Sequence, residues 1–154
     1  MKKTIIVIFG SIATFFFVAC NNTDNNTRKG DEKIYKEQTT REITVQTEDG
    51  NTIIFELNNS KAATELYNQL PISVKIEEFS TNEKVFYPPK KLDVSDTLLA
   101  EPMMGTLTYY APWGDVVMFY DKFNANSSLY GIGYAVSGEE LIKELSGKVK
   151  IDKL

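Results

Sequence analysis

Histidine is absent from the 154 residues and cysteine occurs once, at Cys20, so the side chains that most often carry acid–base, thiol and metal chemistry are nearly missing. A catalytic thiol needs a neighbouring base to take its proton, and a disulfide needs a second sulfur. The chain supplies neither. No spaced cysteine and histidine pattern, calcium loop, P-loop or dinucleotide fingerprint occurs, so no metal and no cofactor are expected. Carboxylates pair at Glu77 and Glu78 and at Glu139 and Glu140, and stand singly at Asp115 and Asp121. Neighbours on a strand point apart and acids at a helix start serve its dipole, so these read as solvated charge and no catalytic residue is expected. What remains is aromatic: Tyr109, Tyr110, Trp113, Phe119, Tyr120, Phe123 and Tyr130 crowd one part of the chain. Exposed together near a proline–glycine turn, such rings form a stacking surface, and Tyr109, Tyr110, Trp113, Tyr120 and Tyr130 are the candidate ligand-binding residues. The competing use is core and cross-strand packing, since Tyr109 and Tyr110, like Phe119 and Tyr120, face opposite sides of a strand.

Cys20 has a context that gives it another role. The chain opens with Lys2 and Lys3, runs uncharged from Ile5 to Ala19, and turns abruptly to asparagine and threonine. That is the layout of an export signal. As a helix the apolar run covers about 22 Å, short of the roughly 30 Å hydrocarbon core of a bilayer, which disfavours a permanent span. Phe17, Val18, Ala19 and Cys20 resemble the lipobox of bacterial lipoproteins, with phenylalanine where leucine is commoner. The resemblance implies cleavage before Cys20 and fatty acylation at that residue, and two or more acyl chains hold a protein stably at a membrane. The expected location is a bacterial cell envelope, with the membrane as partner through those chains.

Three segments are expected: an export signal over residues 1–19, the acylated cysteine and a disordered tether over 20–40, and a folded domain over 41–154. Between Asn21 and Thr40 only Ile34 and Tyr35 are sizeable apolar side chains, too few to offset the entropy of ordering. The net charge of −4 becomes two units more negative once Lys2 and Lys3 leave with the signal, and the only arginines are Arg28 and Arg41. An acidic domain of this kind is a poor partner for nucleic acid.

Period two dominates the folded part. Ile43 and Val45 share one face, Asp49 and Gly50 supply a hairpin turn, and Ile53, Phe55 and Leu57 alternate on the return strand. Ala63, Leu66, Tyr67 and Leu70 then recur at helical spacing after the cap candidates Asn58, Asn59 and Ser60, and Pro71 ends the helix near Gln69. Strands are expected over 72–77, 84–87, 106–110, 115–121, 128–136 and 148–152. The turn 111–114 carries proline and glycine, and Gly131 and Gly133 mark a bulge or close approach. Ser137 to Glu140 reads as a capping box opening a second short helix. Residues 88–104 show neither period and read as a connection packed over an opening. Eight short strands and two short α-helices predict a mainly β fold, a closed or nearly closed barrel without exposed edges.

The stretches ELYNQLP at 65–71, EKVFY at 83–87, GTLTYYAPWGDVVMFYDKF at 105–123 and LYGIG at 129–133 resemble the bacterial cyclophilin-like fold proteins, and with the strand order the likeness covers about residues 41–153. It departs from the family where Thr106 follows Gly105 and Tyr134 follows Gly133. The resemblance implies a cyclophilin-like barrel, and little chemistry. Prolyl isomerases of this shape use an arginine and a histidine beside aromatic groups. Here no isomerase motif matches position by position, and Arg41 lies at the edge of the first strand. The expected function is a non-catalytic module that binds a protein, peptide or small molecule, with the groove near Tyr110, Trp113 and the 88–104 connection. The alternative is a peptidyl-prolyl isomerase of the cell envelope.

Overall fold

The computed structural model describes residues 40–154. The expected export signal, Cys20 and the tether up to residue 39 lie outside the described residues. The elements are β1 (Arg41–Gln46), β2 (Thr52–Leu57), α1 (Lys61–Gln69), β3 (Ile72–Phe79), β4 (Glu83–Phe86), β5 (Thr106–Tyr110), β6 (Asp115–Phe119), β7 (Leu129–Ser137), a 3₁₀ helix (Glu139–Glu144) and β8 (Gly147–Lys153). The strands close into a barrel in the order β1-β2-β7-β5-β6-β4-β3-β8. Every neighbouring pair is antiparallel. Closure leaves no strand edge unpaired.

Alternation decides what fills the barrel. Ile43 and Val45 of β1, Ile53 and Phe55 of β2, Leu107 and Tyr109 of β5, Val116 and Met118 of β6, and Val149 and Ile151 of β8 all enter one buried cluster. Side chains of this size contribute about 1.5–3 kcal/mol each when fully buried. Helix α1 adds Ala62, Ala63 and Leu66, the 3₁₀ helix adds Ile142, and Leu145 comes just after it. Ser60 caps α1, its hydroxyl accepting from the Ala63 N–H at 3.2 Å, and Leu70 turns extended immediately before Pro71.

The second helix differs from expectation. Ser137 remains in the β7 ladder opposite Ile54, and the N-cap position falls one residue later, on Gly138 at φ 74°, which has no side chain to cap with. Residues Glu139–Glu144 wind as a 3₁₀ helix in place of an α-helix. The glycine pair of β7 sits where expected: the β5 register shifts between Leu107 and Thr108, opposite Gly133 and Gly131. A Cβ on Gly133 would lie 2.4 Å from the Glu56 carbonyl oxygen.

A second, smaller cluster lies on the outside of the barrel. Val85, Val117, Phe119 and Leu129 are buried there, with Ala100, Tyr110 and Phe123 packed against them. All five residues of β6 are therefore buried, the inward pair by the core and Asp115, Val117 and Phe119 by this outer layer.

Candidate ligand pocket

The outer layer is incomplete where the β5–β6 hairpin meets the β3–β4 hairpin, leaving a cavity of about 190 Å³. Gly114, at φ 79°, lets the β5–β6 turn close, its N–H donating to the Tyr110 carbonyl at 2.9 Å. The turn holds Trp113 half in solvent. Its ring stands edge-to-face against Phe79 (5.2 Å, 82°) and against Tyr110 (5.4 Å, 88°). Phe79 ends β3, just before Ser80 turns the chain at φ 59°. Three rings thus make a corner, Val85, Val117 and Leu129 the apolar lining, and Asn126 adds an amide.

Two carboxyl groups, Glu83 and Asp115, also line this cavity. Asp115 opens β6 opposite Tyr110 and is only 2% exposed. Its Oδ1 and Thr108 Oγ1 are the buried side-chain polar atoms without a hydrogen-bond partner among the described residues. Burial raises the Asp115 carboxyl above its ordinary range. Glu83, half-buried on β4, is pushed up to about 7, first by burial and then by the Asp115 charge. None of the ion pairs among the described residues involves either group.

Of the five expected ligand-binding residues, Tyr110 and Trp113 meet at this pocket. Tyr109 points the other way, into the core, where its hydroxyl accepts from the Leu92 N–H at 3.1 Å. Tyr120 donates to Glu78 Oε1 at 2.6 Å, beside the Lys84–Glu78 ion pair, and this bond above all pushes its hydroxyl up to about 12. Tyr130 is half-buried opposite Tyr109 and bridges to Leu99. The connection 88–104 is packed down, with Leu92 in the core and the Ala100 N–H donating to the Leu129 carbonyl at 2.9 Å. It lines a different, shallower depression, with Leu98, Leu99 and Met103 beside Gly131 and Tyr134.

Phe79, Glu83 and Asp115 were not expected at the site. Asp115 is buried rather than solvated because it shares a strand face with Val117 and Phe119, and period two applied to 115, 117 and 119 carries that signal. Phe79 and Glu83 reach the pocket only through the β4–β6 pairing, which local sequence does not display. Among the described residues no group of three or more metal-ligating side chains occurs. A larger depression of about 290 Å³ lies between the β1–β2 turn and the 3₁₀ helix, lined mostly by hydrophilic residues such as Thr47, Asp49 and Lys148. Arg41 is committed elsewhere, donating to Thr64 Oγ1 and the Asn58 carbonyl, each at 2.7 Å.

A closed antiparallel eight-stranded barrel with a short helix after its first hairpin and an aromatic corner on its outer wall defines a small β-barrel domain of cyclophilin-like architecture. Residues 46–152 match the model of the Cyclophilin-like family, and the chain belongs to that family. The solution structure of a hypothetical protein from Archaeoglobus fulgidus is similar, with a TM-score of 0.59 at 15% identity over 79% of this chain and 100% of that one. At that identity the likeness concerns the fold alone. No curated protein matches the chain.

Proposed function

We propose that this chain is a lipid-anchored module of the bacterial cell envelope whose cyclophilin-like barrel binds a ligand in the Phe79–Tyr110–Trp113 pocket. The observation that carries the binding half is the buried Asp115 oxygen without a partner at a cavity walled mainly by aromatic and aliphatic side chains. A buried polar atom left unpaired costs about 1–3 kcal/mol, a cost a bound ligand removes. The anchoring half rests on Phe17 to Cys20 and the charged and apolar segments before them. Folding Tyr110 and Trp113 into one corner suits recognition, because large rigid rings lose little entropy on contact. The arrangement lacks a nucleophile with its base, so no catalysis is proposed.

Trp113 is the only tryptophan in the chain, so its emission reports on this pocket. Titrating the purified full chain with fractions of envelope extract is expected to shift that emission saturably with at least one fraction. Emission unchanged by every fraction would contradict the pocket as a binding site.

A further inference from the structure

The cavity is unusual in what it combines. Its walls are aromatic and aliphatic, yet it holds two acids whose charges no other described residue pairs. Asp115 is nearly fully buried with a free Oδ1, and Glu83 shares the face from the neighbouring strand. The basic side chain of Lys91 passes near the turn, its Cε 3.3 Å from where a Cβ on Gly114 would stand, and it forms no ion pair with either acid.

We propose that this pocket takes a single aliphatic ammonium group, carried by a lysine side chain or a small amine, with Asp115 and Glu83 as its counter-ions and the three rings as its walls. This rests on the binding reading above and names the ligand class for it. A neutral hydrogen-bond donor would satisfy the Asp115 oxygen but leave its charge uncompensated in an apolar site, whereas a cation does both. Ring faces add attraction for a cation, more so when it is desolvated. Burial first and the Asp115 charge second push Glu83 up to about 7 in the empty site, and an arriving ammonium opposes both effects. A metal ion is disfavoured by ligand count, since among the described residues no third metal-ligating group joins the pair. Size agrees as well: about 190 Å³ is below the roughly 300–1,000 Å³ of sites for drug-sized ligands and suits one alkyl arm with its head group.

The test titrates the full chain with N-acetyl-lysine amide, its uncharged analogue N-acetyl-norleucine amide, and butylammonium, following Trp113 emission. Both amines are expected to bind saturably and the norleucine compound about tenfold or more weakly. Asp115→Asn and Glu83→Gln are each expected to weaken amine binding about tenfold while leaving norleucine binding unchanged. Glu83 is half-buried, so the second variant reads the effect even if the first does not fold. Lysine amide binding more tightly than butylammonium assigns a peptide side chain as the source, and equal binding confines recognition to the amine. Norleucine binding as tightly as lysine overturns the ammonium assignment and leaves the pocket standing. No response to any of the three, while an envelope fraction still shifts the emission, also overturns the assignment. No response to either overturns the pocket itself.

Discussion

Asp115 and Glu83 sit on adjacent strands of one face, and their effect on stability depends on where their protons are held. The ordinary Glu83 value of 4.5 rises to about 7 in the folded chain, so the folded state binds this proton more tightly than the unfolded one. Its contribution is therefore most favourable below about pH 4.5 and is lost as pH climbs through 7. Glu83→Gln removes the charge and with it this dependence. Thermal unfolding at pH 4 and pH 8 is expected to show the variant close to the parent at the lower pH and more stable at the higher one. The same difference at both values would contradict a buried, proton-holding Glu83. Asp115 shifts in the same direction through burial.

At the scale of elements, β7 carries two register shifts, one against β2 between Ala135 and Ser137 and one against β5 between Gly131 and Gly133. Gly133 allows the β2 backbone to approach so closely that a methyl group would meet the Glu56 carbonyl oxygen at 2.4 Å. Gly133→Ala is expected to cost about 1–3 kcal/mol in denaturant unfolding, as overpacking typically does. A loss below about 0.5 kcal/mol, the range of ordinary surface changes, would show that β2 yields. Most strands were legible from a period-two face, and β5 and β6, buried on both faces, from runs of β-branched and aromatic residues. Ile53, Phe55 and Leu57 alternate in the sequence as they do in the barrel. The 3₁₀ helix was not, because Ser137 has two possible uses and only the pairing with Ile54 shows which one prevails. The same limit governs the pocket. Tyr110 and Trp113 announce themselves by type and turn, while Phe79 and Glu83 come from strands distant in sequence whose pairing the local pattern does not encode.

For the molecule as a whole, a barrel closed on itself offers no edge for strand addition, so recognition falls to side chains on its wall. The acidic balance of the chain makes surface attraction to anionic lipid weak, and under the proposed reading an acyl group on Cys20 supplies the attachment instead. The proposal joins an anchor at Cys20 to a pocket at Trp113, and the two are expected to act together in the cell. The measurement that tests this most directly places a photoreactive phenylalanine analogue at Phe79, and separately at the exposed Lys148 of β8, in cells fed a fatty-acid probe. A discrete cross-linked adduct is expected from position 79 and none from 148, carried by acylated protein in the membrane fraction, with acylation lost in Cys20→Ala. Equal adducts from both positions, or acylation that survives Cys20→Ala, would contradict a pocket and an anchor working as one.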